Sequence, residues 1–114
     1  MSLDYGLCNQ TVTLYGLRGD KVKRQVVENA HYTWQIQQVT DDLGIRQERK
    51  FHLIIPGAVD LLPGDRVYDG KGPEITLLQW QSFIPVMVSG LSQVEYVCPY
   101  RWQGEICHTE AGRR

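Results

Sequence analysis

The sequence predicts an all-β fold, a small antiparallel β-barrel or sandwich of about six or seven short strands with an extended C-terminal tail. Three observations predict it. Extended, alternating segments recur about every 8–12 residues, with Gly-, Pro- or Asp-bearing turns between them. No segment of ordinary helix length carries an i, i+3, i+4 apolar stripe; the nearest, residues 21–32, lacks one. Finally, residues 62–75 pack two turn signals around one short extended segment. There, Pro63-Gly64 suits the centre of a type II turn, and Asp69-Gly70 suits a tight hairpin.

Residues 1–9 read as a polar lead-in, 10–98 as the barrel and 99–114 as the tail. The first strand is Gln10-Thr11-Val12-Thr13-Leu14-Tyr15, with Val12 and Leu14 on one face and Thr11, Thr13 and Tyr15 on the other. Gly16-Leu17-Arg18-Gly19-Asp20 is read as the turn into residues 21–27, with Val22 and Val26 inward. Glu28-Asn29 breaks that run. Residues 31–37 alternate again, placing Tyr32, Trp34 and Ile36 on the inward face. Asp41, Asp42 and Gly44 mark a turn, and residues 45–50 form a charged arm. Phe51-His52-Leu53-Ile54-Ile55 is apolar on both faces, which predicts a central strand or one whose outer face another subunit covers. After Asp69-Gly70, residues 75–78 are the expected return strand, and Val67 and Ile75 the core face of that hairpin. Pro85 limits residues 83–88 to an edge strand or a loop, since it cannot donate to a ladder. Residues 94–98 are the expected last strand, ended by Pro99.

At 114 residues the chain is one domain with a modest core. Twelve Lys and Arg against thirteen Asp and Glu leave a formal net charge of −1. That balance argues against affinity gained by wrapping nucleic acid, which needs a basic excess. It also leaves little self-repulsion to oppose association. No apolar run approaches the ~20 residues of a membrane helix. The first residues lack the basic flank and apolar stretch of a secretory signal, so cytoplasmic synthesis is expected. Three cysteines, Cys8, Cys98 and Cys107, cannot all pair within the chain and read as reduced thiols.

No catalytic pattern emerges. Cys107-His108 with Cys98 nine positions earlier is not the paired spacing that offers two thiolates to zinc. There is no G-x-S-x-G elbow and no Cys–His context for a nucleophile. Gly64, Gly70 and Gly72 match neither phosphate-loop pattern and precede no helix. Asp65 and Asp69 sit where aspartates cap turns. The reading is a non-enzyme without cofactor or metal. Tyr100 and Trp102, in a segment without pattern, are unexplained by the core and suit a protein interface. With Phe83, Ile84 and Met87 they make the candidate subunit interface.

Several stretches carry a resemblance: Cys8-Asn9-Gln10-Thr11-Val12-Thr13-Leu14-Tyr15, Leu53-Ile54-Ile55-Pro56-Gly57, and Gly64-Asp65-Arg66-Val67-Tyr68-Asp69-Gly70-Lys71-Gly72-Pro73-Glu74-Ile75. Trp80, Ile84-Pro85, Val94-Glu95-Tyr96-Val97 with Pro99, and Cys107-His108-Thr109-Glu110-Ala111-Gly112 complete the series. In this order they resemble the minor capsid proteins of tailed phages and prophages, and the plan is similar to that of phage head–tail joining proteins. The resemblance implies a structural virion protein, a head–tail connector or head-completion subunit. Such a subunit forms a ring below the portal and contacts portal or adaptor and tail-side neck proteins. It further implies a loop that projects into the channel, with possible contact to packaged DNA. Residues 39–50 are the candidate channel loop, through Asp41, Asp42, Arg46, Glu48, Arg49 and Lys50; residues 56–64 are expected to pack on a neighbouring subunit. Two alternatives stand beside it: a tail-terminator or minor tail protein, and a single-stranded nucleic-acid-binding β-barrel, which the chain's aromatics suggest.

Overall fold

A computed structural model describes residues 8–85 and 87–113; the side chains of Gln37, Asp41 and residues 46–49 lie outside the described ones. Seven strands run in chain order: β1 (Gln10–Arg18), β2 (Lys21–Asp41), β3 (Gly44–Pro56), β4 (Arg66–Asp69), β5 (Leu91–Gln93), β6 (Tyr96–Trp102) and β7 (Glu105–Arg113). They form one antiparallel sheet in the order β5-β4-β1-β2-β3-β7-β6. The sheet curls into a half-barrel, as the all-β expectation holds.

The curl is visible in the chain path. β5 and β6 are the two outermost strands, yet only Val94 and Glu95 separate them. The Val94 amide donates to the Asp65 carbonyl beside β4, and the Glu95 amide to the Gly112 carbonyl on β7. Two adjacent residues thus stitch the opposite edges of the sheet together. The buried Tyr32 hydroxyl and Ser92 Oγ, 3.0 Å apart, make a further bond across the interior from β2 to β5. The link draws the two outer strands together, while β5 and β6 each keep a single ladder partner.

Inside lies the main core: Val12, Leu14, Val27, Ala30, Tyr32, Phe51, Leu53, Ile55, Leu61, Val67, Val94 and Ala111. Each large apolar side chain buried here contributes about 1.5–3 kcal/mol. β3 is central, between β2 and β7, as its apolar faces predict. Val27, not Val26, points into the core, because the register of β1 against β2 shifts between Gln10 and Val12. That irregularity also lets one strand run through Glu28-Asn29, where the sequence suggests a break.

The outer face of β1 is buried too. Tyr15, Phe83 and Leu91 form a second cluster with Val22, Tyr68, Ile75, Trp80 and Val88 around it. The covering segment, residues 70–90, contains no strand; it carries a short 3-10 turn at Trp80–Ser82. This corrects the expected hairpin. The Asp69-Gly70 turn exists, with Gly70 at φ 94°. Beyond it the chain crosses β1 instead of pairing back. Thr13 Oγ1 donates to the Gly70 carbonyl and accepts the Gly72 amide. The Tyr15 hydroxyl donates to the Pro73 carbonyl, and Arg24 donates to the Gly72 carbonyl. These bonds hold the turn over the outer face, and β5 takes the edge of β4 instead. Ile75 therefore serves the second cluster while Val67 serves the first. The Pro63-Gly64 turn is as predicted: the Asp65 amide donates to the Leu62 carbonyl, and Gly64 has φ 94°.

The expected tail is also corrected. Residues 96–113 form a hairpin, and β7 inserts between β3 and β6 as an integral strand. Gln103 and Gly104 turn it with φ 52° and 83°, the double positive φ of a type I′ turn. Pro99 does not end the strand. It lies within β6, which is an outermost strand and tolerates a residue without an N–H.

Residues 56–64, expected against a neighbour, pack on this chain. Leu61 is in the core, and the Gly57 amide donates to the Cys107 carbonyl. Asp65 accepts from Arg18 at 2.8 Å, and Asp60 bridges Arg18 and Lys23. This network ties the loop to β1 and β2. Buried Arg66 secures the neighbouring segment: its guanidinium donates to the Trp80 and Phe83 carbonyls and stacks 3.7 Å from the Trp80 ring centre.

Candidate functional site

Beyond the barrel, β2 and β3 continue as a two-stranded ribbon. β1 stops pairing with β2 at Gln10, opposite Ala30, and the Gln10 side chain extends the ladder one step. Its Oε1 accepts the Tyr32 amide and its Nε2 donates to the Tyr32 carbonyl. On the other side, β7 pairs with β3 only as far as Phe51, opposite Arg113. Among the described residues, β2 and β3 pair only with each other from Thr33 to the tip, down to Asp41 opposite Gly44. A strand advances about 3.4 Å per residue, so eight steps carry the ribbon about 27 Å outward. The projection shows in the overall dimensions. The radius of gyration is 14.9 Å, against about 13 Å for a compact domain of this length.

The ribbon carries the core stripe out of the core. Tyr32, Trp34 and Ile36 share one face, as the alternation predicts; Leu53 lies opposite Tyr32 and Phe51 opposite Trp34, and Ile45, opposite Thr40, is further along the same face. Tyr32 is 3% exposed and lies inside the barrel, whereas Trp34 is 47% and Ile36 55% exposed. The inward placement of Trp34 and Ile36 is thus corrected: the face is right, but at that height no opposing layer covers it. Ile45 and the tip residue Leu43 are also exposed, Leu43 at 92%. A solitary two-stranded ribbon is marginal in water, so exposed apolar groups here are suited to contact with another molecule.

At the root of the ribbon, where β7 ends, lies an open groove of about 380 Å³. Its walls include Trp34, Phe51 and Tyr96, and its charged groups are Lys50 and Arg113, with His52 alongside. Among the described residues, no lining residue is acidic. In a chain of net charge −1 this is a local cationic and aromatic site.

The sequence-predicted residues distribute unevenly. Asp42 and Lys50 lie on the ribbon, Asp42 exposed at its tip and Lys50 at its root. Asp41, Arg46, Glu48 and Arg49 hold ladder positions on the ribbon, and their side chains lie outside the described ones. Of the candidate interface, Phe83 is 6% exposed and packs edge-on against Tyr15, 4.6 Å between ring centres, so it belongs to the second cluster. Met87, at 70%, is on the surface, and Ile84 is half-buried beside it. Val86, between them in that run, lies outside the described residues. Tyr100 and Trp102 are exposed on β6, at 45% and 56%. The fold therefore does not bring the five into one patch built around Phe83.

A polar cluster on β3, β6 and β7 was not foreseen in the sequence. The Glu110 carboxylate lies 2.7 Å from His52 Nε2 through one oxygen and 3.2 Å from His108 Nε2 through the other. An ionised carboxylate only accepts, so each Nε2 donates. The Tyr100 ring stacks on His108 at 4.8 Å. Burial pushes the Glu110 pKa up, but the two histidine hydrogen bonds prevail and hold it below the usual glutamate range. The Glu110 charge in turn pushes the Tyr100 hydroxyl up. One signal was available: in antiparallel pairing, alternate residues of Cys107–Gly112 share a face, which places His108 with Glu110. Cys98 is exposed on β6. Among the described residues, no group of three or more histidine, cysteine or carboxylate side chains is arranged to hold a metal ion. Among them, too, no helix is long and apolar enough to cross a membrane.

Compared with known proteins, the chain matches no family model, no curated protein and no solved structure.

Proposed function

We propose that the chain is a non-enzymatic structural subunit of a tailed-phage or prophage virion, joining head to tail as a ring below the portal. The observation that carries the docking role is the projecting β2–β3 ribbon, whose exposed Trp34, Ile36, Leu43 and Ile45 continue the core stripe into solvent. The assignment to the phage neck is supported by the ordered resemblance from Cys8 to Gly112 and by the small barrel-like fold. Partners would be the portal or adaptor and the tail-side neck proteins, and the working location the virion. A tail-terminator role uses the same ribbon against the tail tube. The test is capture by the cognate portal, read by mass photometry and negative-stain imaging. Association as a ring on the portal supports the proposal; binding to the tail tube alone selects the terminator role; no association with either defeats both.

A second reading has its own observation. The root groove joins Trp34 and Tyr96 to Lys50 and Arg113, the mixture that holds single-stranded nucleic acid by stacking and charge. Titration of a labelled oligothymidylate at low salt tests it; a flat titration removes it.

A further inference from the structure

We infer that the ribbon tip of one copy seats in the root groove of the next copy. The inference rests on the reading of the chain as an assembling subunit and names the contact that would propagate the assembly.

The two surfaces are complementary in charge and polarity. The tip reads Asp41-Asp42-Leu43, with Asp42 exposed and Leu43 at 92% exposure. The groove offers Lys50 and Arg113 for a carboxylate and Trp34 and Tyr96 as walls for an apolar side chain, and its described lining residues include no acidic one. Its volume of about 380 Å³ falls within the range of sites that enclose small ligands, so a leucine and a carboxylate fit together.

Geometry selects the occupant. The tip and the groove are opposite ends of one extended ribbon, about 27 Å apart by strand rise. The tip cannot fold back to its own groove without breaking the β2–β3 ladder, so it reaches a second copy. The contact is heterologous: each copy uses two different surfaces, and each pair formed still presents one tip and one groove. Such contacts close into rings or extend as filaments.

Sedimentation velocity at low salt tests this with D42K, K50E and the charge-swapped D42K/K50E, each confirmed as folded by circular dichroism. The wild-type chain is expected to form species larger than dimers from about 1 to 100 μM, the range in which a micromolar contact fills. Each single variant should weaken association by about tenfold or more, and the charge swap should restore it. An equimolar mixture of D42K and K50E should also recover assembly, because every tip-to-groove contact between unlike copies is then charge-complementary. Variants that assemble as the wild type does overturn the inference, as does a wild-type chain that stays monomeric throughout. Groove-dependent binding of an oligothymidylate by a monomer also overturns it. None of these results touches capture by the portal, so failure of this contact is separable from failure of the proposed function.

Discussion

At the residue scale, two positions decide much of the sheet. Gly112 sits where β7 passes between β3 and β6, and a Cβ there would come within 2.3 Å of the Phe51 carbonyl oxygen and 2.8 Å of the Tyr96 hydroxyl. The backbone oxygen cannot swing aside. G112A should cost about 2–3 kcal/mol by overpacking, lowering Tm by roughly 10 °C in thermal denaturation. Glu110 makes the second case. Its folded-state pKa is depressed, so its contribution is present above the usual glutamate value and is lost as pH falls through the depressed one. Near neutrality E110Q should be about 1–2 kcal/mol less stable than wild type, since hydrogen bonds to a charged group are lost. Denaturant titrations from neutral to acid pH should show that gap close below the glutamate range. A gap that stays constant with pH would mean that the carboxylate charge is not what the histidines hold. Gly112 was legible in the sequence only as a member of a motif; its reason, a strand on each side, is tertiary.

At the element scale, alternation identified β1, the two halves of β2, and β3, because these strands keep one apolar face over many residues. It failed where pattern is set by context. Residues 75–78 have strand-like side chains, yet they cover the outer face of β1 because Thr13, Tyr15 and Arg24 capture the backbone carbonyls ahead of them. The β6–β7 hairpin was hidden for another reason. Its turn is Gln103-Gly104 instead of the usual Asn-Gly, and Pro99 reads as a terminator although it stands on an edge. The turn supplies a prediction: Gln103 holds φ 52°, a region that asparagine adopts more readily. Q103N should therefore raise stability, by about 0.5 kcal/mol, in equilibrium unfolding. A neutral or negative effect would mean that the turn geometry differs from type I′.

The ribbon is the element whose role the sequence half disclosed. Its charge and turn residues marked a protruding hairpin, while its apolar stripe was read as core. Both were partly right, since one face serves the barrel at Tyr32 and leaves it at Trp34. None of the described side chains of residues 33–50 belongs to the main core. Replacing residues 36–49 with a two-residue Asn-Gly turn should therefore leave the barrel folded, with Tm within a few degrees of the parent. A collapse of the fold on this change would assign the ribbon to stability instead of docking.

At the scale of the whole molecule, the half-barrel has its outer strands linked by Val94 and Glu95 and is extended by the ribbon. The charge balance places no strong repulsion between copies. What the sequence could show of the candidate site was its ingredients: Asp42 and Lys50 on a hairpin, Tyr100 and Trp102 without a core to enter. The groove itself was not legible, because Trp34, Tyr96 and Arg113 come from three different strands and meet only where β7 stops. The central claim is that this chain docks to neck components through the β2–β3 ribbon. The most direct measurement is portal capture by the parent chain and by the ribbon-shortened variant, side by side, with both shown to be folded. The account predicts rings on the portal with the parent and none with the variant; equal binding by the two, or none by the parent, would contradict it.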